Sequence, residues 1–230
     1  MSKDIIFTDQ FNINLFPPKP AIKNIPDWYK NTQEYVNNNE KKIVHVEESA
    51  STIKKCMPVF DAMTAGYILY TQVDVQVSII NDEIIYHWAD QNAINFHPLE
   101  QAPLLPNKKD KTPYPKWMNP YGIKTPPGYS ILIVPPINRE SIFTILPGIV
   151  DTDKYTNCIN FPFVFNNLKW EGIIDAGTPM AQIIPFKRDS WKHRMGSEKE
   201  RQELNIVGSK IRSLFFNSYK KNFWSKKEFN

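Results

Sequence analysis

The sequence is poor in cysteine and glycine. Its two cysteines, Cys56 and Cys158, are far apart in the chain, and it has no paired-Cys or Cys/His spacing typical of a metal site. We therefore expect no structural metal, no disulfide framework and a reducing compartment. Only 8 glycines stand against 19 prolines. Because proline donates no backbone hydrogen bond and breaks helix interiors, this balance favours many short strands with rigid connections over a helical bundle.

Long apolar runs and common catalytic fingerprints are also missing. No uninterrupted stretch approaches the ~20 apolar residues of a membrane-spanning helix, and the first residues lack the charged start and apolar run of a signal peptide. The sequence shows no Ser/His/Asp triad pattern, P-loop or Rossmann glycine motif. His87 and His97 lack the carboxylate pattern of a metal triad, so we interpret them as structural. These features predict a soluble intracellular protein with no membrane partner and no cofactor.

The stretch from Gly128 to Asp189 is dense in short apolar runs that end at Pro, Gly, Asn or Asp, as short strands do. We expect Pro162 to bulge its strand or to place it at a sheet edge. Upstream, residues 73–79 alternate apolar and polar, which predicts a hairpin, and a short strand is expected at Ala93–Phe96. The predicted fold class is mainly β (α+β) with a barrel or sandwich core. The core strands expected are Ser130–Val134, Phe143–Leu146, Cys158–Phe165, Gly172–Ile174 and Met180–Phe186.

Two helices are predicted outside this core. The first is capped by Ser51 or Thr52, is broken or kinked at Pro58 and ends at Gly66. The second, over Ser197–Tyr219, opens with a Ser-x-x-Glu capping box. It carries an apolar stripe with three- and four-residue spacing. The residues of this stripe expected to be buried are Leu204, Val207, Ile211, Leu214 and Phe215.

This pattern divides the chain into two parts. Residues 1–196 form a β-rich domain with its core at 128–189, and residues 197–230 form an amphipathic helix with a basic tail. A single apolar stripe on a helix must be covered to be stable. We therefore expect the C-terminal helix to pack on the β-rich domain or on a partner.

Positive charge is concentrated near the C-terminus. From Lys187 onward there are 12 Lys and Arg against 5 Asp and Glu, while the whole chain has a net charge of +4. The cluster Lys187, Arg188, Lys192 and Arg194 surrounds Trp191, and such a cluster can hold phosphate or nucleic acid weakly. The alternative is a solvated helix entry with a packed Trp.

One segment, Pro147-Gly148-Ile149-Val150-Asp151-Thr152-Asp153-Lys154-Tyr155, resembles the third motif of trimeric dUTPases. The stretch Gly172–Ile174 followed by Gly177–Ile184 resembles their fourth motif, and the related dCTP deaminases share this order. The resemblance covers about a quarter of the chain and implies a β-clip-like core. It implies that Asp151 holds an attacking water, that Tyr155 packs under the deoxyribose, and that Arg139 and Gln182 contact the ligand.

The chain departs from that family at three points. Lys154 is inserted before Tyr155, Glu140 follows Arg139 where a phosphate would disfavour an anion, and a basic helix replaces the Gly-rich C-terminal arm. Asp151 and Asp153 also have a structural interpretation as an Asx turn. A calcium loop is excluded, because Thr156 and Pro162 stand where that loop needs Gly and Glu.

The order of IPDWYK, a Lys-Lys-Cys-x-Pro helix, a VDTD hairpin and IPFKRDSW resembles uncharacterised proteins of tailed bacteriophages. The expected function is therefore a phage-encoded, non-catalytic binding or structural accessory protein, in the host cytoplasm or the virion. Its partners would be further copies of itself or another phage protein. The alternative is a nucleotide hydrolase or deaminase that uses Asp151, and only this alternative would require Mg²⁺.

Overall fold

Short antiparallel strands make up most of the regular structure, in agreement with the predicted mainly β fold class. The computed structural model describes residues 3–12, 15–36, 51–81, 83–89, 92–101, 113–213 and 218–230. Its strands are β1 Ile6–Asp9, β2 Lys19–Pro20, β3 Tyr67–Tyr70, β4 Val75–Ile80, β5 Glu83–Trp88, β6 Ile94–His97, β7 Tyr114–Trp117, β8 Tyr121–Lys124, β9 Tyr129–Val134, β10 Phe143–Ile145, β11 Gly148–Val150, β12 Phe161–Phe165, β13 Gly172–Ile174 and β14 Pro179–Lys187.

The described strands form four sheets in which every pairing is antiparallel. The largest sheet has the order β11-β9-β14-β3-β2, and a second has the order β10-β12-β7-β6. A three-stranded sheet, β13-β4-β5, and the pair β1-β8 complete them. The predicted hairpin is confirmed as β4 and β5, and β6 lies where a short strand was expected.

The inward faces of these sheets share one hydrophobic core. At its centre the rings of Trp117 and Phe163 stack with centroids 4.9 Å apart, and Phe143 packs at 5.0 Å from Trp117. Ile131 of β9 and Ile183 of β14 are fully buried beside this aromatic group. Because aromatic and β-branched side chains fill the core, the alternation of apolar residues along each strand determines which face turns inward.

Pro162 neither bulges its strand nor lies on an edge strand, which corrects the expectation from sequence. β12 pairs with β7 through its first residues and with β10 through Phe163–Phe165. The carbonyl of Pro162 accepts a hydrogen bond from the Leu146 N–H at 2.8 Å. The β12–β7 pairing ends at Pro162. The backbone N–H that proline lacks would therefore lie at the end of this pairing, and its absence interrupts no run of hydrogen bonds.

The helices are α1 Asp27–Asn31, α2 Met57–Thr64, α3 Glu198–Ser213 and α4 Ser218–Asn222. The predicted helix with a break at Pro58 is instead a 3-10 turn over Ile53–Lys55 followed by α2. Pro58 lies in the first turn of α2, where a missing N–H costs no intrahelical bond. The expected cap is confirmed, because the Thr52 hydroxyl accepts from the Lys54 N–H at 3.2 Å.

The C-terminal helix begins as predicted, but its apolar stripe is not buried against the β-rich domain where its side chains are described. Glu200 accepts from the Ser197 N–H at 2.7 Å, which confirms the capping box. Leu204 and Val207 remain 70% and 38% exposed. Every residue from 189 to 207 except Glu200 is exposed, so no described part of the protein covers this part of the helix. The side chains of Ile211, Leu214 and Phe215 lie outside the described residues.

The last residues return to the body of the protein. The Trp224 Nε1 donates to both carboxylate oxygens of Asp61, at 3.0 and 2.9 Å, and Lys227 Nζ donates to Asp61 Oδ2 at 2.7 Å. The Phe229 ring packs edge-on against Tyr67 at 6.2 Å. The C-terminal segment is therefore attached to α2 and β3, beyond the exposed α3. None of the described helices is long and apolar enough to cross a lipid bilayer.

Gly66, which follows α2, generates the first prediction. Its φ is +69°, and a Cβ built there would lie 1.9 Å from the carbonyl oxygen of Ile183 in β14. We expect Gly66→Ala to lower the free energy of unfolding by more than ~3 kcal/mol, because it adds a backbone clash to left-handed strain. The measurement is urea denaturation followed by circular dichroism.

Gly128→Ala is the matched control. Gly128 has a φ of +82°, but a Cβ there would meet no atom within 4 Å. It should cost only the left-handed penalty of about 1–2 kcal/mol. Equal losses in the two variants would show that the contact with β14 is not as tight as described.

Candidate functional site

The turn after β11 carries the residues that the dUTPase resemblance assigned to chemistry. The carbonyl of Asp151 accepts from the N–H groups of Lys154, at 3.0 Å, and Tyr155, at 2.9 Å. Thr152 is fully buried, and its hydroxyl lies 2.8 Å from that of Thr125. Backbone hydrogen bonds therefore close the turn, and Thr152 attaches it to the sheet. We call residues Asp151–Tyr155 the acidic turn.

Arg188, the residue after β14, binds the acidic turn. Its guanidinium donates two parallel hydrogen bonds to the Asp153 carboxylate, one of them from Nη1 at 2.8 Å. Asp153 also accepts from the Gly128 N–H at 2.9 Å, and its side chain is only 7% exposed. The paired Arg188, and next the Gly128 N–H, hold the pKa of Asp153 well below its usual range. Asp153 is therefore ionised and serves as the fixed partner of Arg188.

Asp151 lies at the edge of the same cluster. Its carboxylate accepts from the Ser130 hydroxyl at 2.6 Å and lies 3.3 Å from Arg188 Nη1. Ser130 in turn accepts from Arg188 Nη1 at 2.9 Å, so its proton is directed at Asp151. The Ser130 hydrogen bond and the Arg188 charge lower the pKa of Asp151. The side chain is 53% exposed, so this ionised carboxylate can still orient a water molecule.

Tyr155 faces a cleft of about 640 Å³. The cleft is lined by residues from segments 10–11, 70–73, 92–93, 117–120 and 155–160, together with Met180. Asp151 is not among the lining residues, although it lies only four positions before Tyr155. Of the two residues that the resemblance brings to one substrate, only Tyr155 lines this cleft.

Arg139 lies beyond the far end of β9 from Asp151. Ser130, which binds Asp151, and Val134 are four residue steps apart along β9, a span of ~13 Å for an extended strand. Arg139 follows five residues later and donates from Nη1 to Asn24 at 3.0 Å. Its Nε and Nη2 have no partner among the described residues, and burial lowers the pKa of the guanidinium. The structure therefore does not bring Arg139 to Asp151 within one chain.

Gln182 is an interior residue with no exposed surface. Its amide nitrogen donates to the carbonyls of Ala62 and Ala65, at 2.9 and 2.7 Å, and its oxygen accepts from the Ile137 N–H at 3.0 Å. Both amide protons and the oxygen are used in holding α2 and the segment after β9 against β14. An amide with this set of partners is a structural fastener, with no donor left for a ligand.

The basic cluster of the sequence is dispersed into separate contacts. Lys187 pairs with Asp189 at 2.6 Å, and Arg188 belongs to the acidic turn. Arg194 pairs with Glu200 at 2.5 Å and, together with Ser197, holds the pKa of that carboxyl at about 2. Lys192 has no ion pair among the described residues. Trp191 is 88% exposed, so the packed Trp of the alternative interpretation is not observed.

The described residues contain no group of three or more His, Cys, Asp and Glu side chains that could hold a metal ion. Asp151 and Asp153 are two neighbouring carboxylates, and both already contact the Arg188 guanidinium. His97 Nδ1 lies 2.8 Å from Gln101 Oε1. This contact is of the kind expected for a structural histidine.

Sequence reasoning did not predict the cleft that Tyr155 faces. Its rim is formed by Gln10, Asn92, Asn157 and Asn160, which come from three distant parts of the chain. Asn and Gln are ordinary loop residues, and no spacing in the sequence indicates that these four meet. Only Asn157 and Asn160, three positions apart and shortly after the acidic turn, lie close together in the sequence.

Comparison with known proteins gives a remote structural similarity to dUTPases. The chain is similar to the native EIAV dUTPase, with 15% identity, 58% of this chain and 84% of that chain covered, and a TM-score of 0.32. It is also similar to a mutant dUTPase from phage phi11 of S. aureus, with 15% identity, coverage of 47% and 99%, and a TM-score of 0.27. No protein-family model and no curated protein matches the chain.

The Arg188–Asp153 pair generates a prediction about pH. The folded-state pKa of Asp153 is depressed, so its contribution is present above the unfolded pKa of about 4. That contribution is lost as the pH falls toward the folded pKa. We expect Asp153→Asn to lower the free energy of unfolding at pH 7 and to reduce its fall below pH ~4. Urea denaturation across this pH range measures both effects.

Asp189→Asn is the control for this measurement. Asp189 pairs with Lys187 at the surface, where both side chains are exposed. Exposed pairs contribute at most about 1 kcal/mol, so this variant should follow the parent closely. Parallel curves for the parent and Asp153→Asn would contradict a role for Arg188 and Asp153 in stability.

Proposed function

We propose that the chain is a non-catalytic binding or structural accessory protein built on a β framework, encoded by a bacteriophage. The observation that carries the non-catalytic part is the separation of Asp151 from Arg139. Asp151 is held by Ser130 and Arg188 at one end of β9, while Arg139 binds Asn24 beyond the other end. The phage origin rests on the resemblance of the sequence to tailed-phage proteins.

Hydrolysis of a nucleoside triphosphate needs more than a carboxylate that orients water. The reacting phosphate must be held in line with that water by cationic groups or backbone donors. Arg188 is the cation nearest Asp151 among the described contacts, and its guanidinium is committed to Asp153. Lys154 of the same turn is then the remaining nearby cation among the described residues, and its charge acts on Asp153. A single exposed lysine does not provide the set of donors that holds a triphosphate in line with a water.

The alternative is a nucleotide hydrolase or deaminase that uses Asp151. It is favoured by one observation, the ionised and half-exposed Asp151 carboxylate. In that case Mg²⁺ would accompany the nucleotide phosphates, because both aspartates of the acidic turn already contact Arg188. A second subunit would have to supply the phosphate-binding cations.

A nucleotide assay tests the proposal. We expect no turnover of dUTP or dCTP by the purified chain with Mg²⁺, measured as release of pyrophosphate or ammonia, and no difference between the parent and Asp151→Asn. Gln182 and Arg139 are unsuitable for this test, since their replacement would disturb the fold. Turnover at ordinary enzyme rates that Asp151→Asn abolishes would replace the proposal with the alternative.

The exposed stripe on α3 supports assembly with a partner. Leu204 and Val207 are uncovered within the chain, and so is the neighbouring Ile206. An isolated helix of 16 residues gains little stability in water without a covered apolar face. We infer that this face is covered by a second copy of the chain or by another phage protein.

Nucleic acid is at most a weak partner in this proposal. Three of the four cations proposed for phosphate binding already have carboxylate partners, and breaking those pairs would offset part of any gain. We expect double-stranded DNA to bind weakly at low salt and to dissociate at physiological salt, because counterion release dominates such binding. Fluorescence anisotropy of a labelled oligonucleotide measures it.

The variant Lys192→Ala tests the one cation of that cluster without an ion pair among the described residues. It should weaken the low-salt binding, while Lys116→Ala, on β7 and far from the cluster in sequence, should leave it unchanged. Binding that is tight at physiological salt would contradict a weak, sequence-independent interaction.

A further inference from the structure

The described residues that line the cleft beside Tyr155 carry no formal charge. They include no Asp, Glu, Lys, Arg or His, although these types make up roughly a quarter of the whole chain. Its volume of about 640 Å³ is in the range of small-molecule sites. We call this site, defined by the lining segments given above, the amide cleft.

The rim of the amide cleft carries hydrogen-bonding capacity that the protein does not use. The side chains of Asn92 and Asn160 have no partner within the described residues. Gln10 accepts from the Cys158 thiol through Oε1, and Asn157 accepts from the Cys158 N–H through Oδ1. The amide nitrogens of these two residues remain available. Four amides can thus offer both donors and acceptors to a ligand.

Two other side-chain amides of the cleft already form hydrogen bonds within the protein, so the cleft does not leave all of its amides free. Gln72 accepts from the Phe16 N–H and donates to the carbonyls of Phe16 and Tyr70. Asn119 is buried and exchanges hydrogen bonds with the backbone of Tyr121. These two residues shape the floor, while the rim amides stay free.

Aromatic side chains supply flat surfaces on the same cleft. Phe11 and Tyr155 are 63% and 50% exposed, and both line it. Trp117 forms part of the wall, and its buried indole N–H has no acceptor among the described residues. Flat aromatic faces beside free amides suit a ring that carries its own polar groups.

We infer that the amide cleft binds an uncharged ring compound bearing hydroxyl or amide groups, of the kind found in nucleosides and neutral saccharides. A charged ligand would lose its hydration without meeting an opposite charge, which is costly. A neutral ligand exchanges water for the rim amides at little net cost. The inference rests on the proposed binding function and adds to it the location of the site and the chemistry of the ligand.

Titration calorimetry with matched compounds tests the ligand class. The probes are thymidine, dTTP without metal, and the neutral disaccharide maltose. We expect thymidine or maltose to bind, and dTTP to bind at least about tenfold more weakly than thymidine, since its phosphates meet no cation among the described residues that line the cleft. Whether thymidine or maltose binds distinguishes a nucleoside-type ligand from a saccharide-type ligand.

Two variants locate the binding. Tyr155→Ala removes an exposed ring while keeping the backbone bonds of the acidic turn, and Asn160→Leu removes a free amide at similar volume. Each should weaken the bound probe by about fivefold or more. Trp191→Ala, which removes an exposed aromatic outside the cleft, should leave binding unchanged. Circular dichroism confirms that each variant is folded.

Alkylation by N-ethylmaleimide gives an independent readout. Cys158 lines the cleft and Cys56 does not, so the bound probe should slow modification at Cys158 alone, as mapped by mass spectrometry. Failure of both neutral probes to bind, or tighter binding of dTTP, would overturn the inference. Turnover of dUTP in the nucleotide assay would instead overturn the proposed function, so the two failures are distinguishable.

Discussion

The pairing of β14 with β9 is the constraint on which the rest of the structure depends. Their register runs from Gln182 opposite Val134 to Lys187 opposite Tyr129. At one end Gln182 fastens α2 to the sheet through its buried amide, and just past the other end Arg188 fastens the acidic turn. Because the two fasteners lie at the two ends of this pairing, the pairing sets the position of Asp151 relative to α2. Changing the register by one residue would move every side chain of the strand to the opposite face.

The two polar fasteners differ in what they leave available. A buried amide must satisfy its donors and acceptor, and Gln182 does so with backbone partners only, which leaves it no role at a surface. The Arg188 cluster lies at the boundary with solvent, where Asp153 takes the bidentate contact and Asp151 remains half exposed. The cluster therefore stabilises the acidic turn and leaves one carboxylate facing water. An exposed carboxylate is in itself a common surface feature, so its chemistry depends on what else lies within reach.

Local signals in the sequence predicted the β4–β5 hairpin, the capping box and most strands of the core correctly, because alternation, turn residues and caps act over a few positions. They did not predict β7 and β8, which lie in the proline-rich stretch before the core. The same reasoning predicted a helix break at Pro58. In sequence, a proline in the first turn of a helix looks the same as a proline inside a helix, because the two differ only in where the helix begins. This reasoning also expected Leu204 and Val207 to be covered, because the period of an apolar stripe gives a direction but no partner. The dUTPase resemblance placed Asp151 and Tyr155 on one turn, yet the sequence could not show that only Tyr155 lines the cleft.

The distribution of charge links the fold to its function. Cationic side chains lie along the exposed segment after β14 and beyond the end of β9, whereas the amide cleft is lined by neutral groups. A single site that binds a phosphorylated ligand would need both kinds of surface in one place. The fold keeps them apart, because Arg188 is bound to Asp153 and does not line the cleft, whereas Tyr155 does. Neutral recognition in the cleft and ion pairing at the acidic turn are thus two consequences of one short turn between β11 and β12.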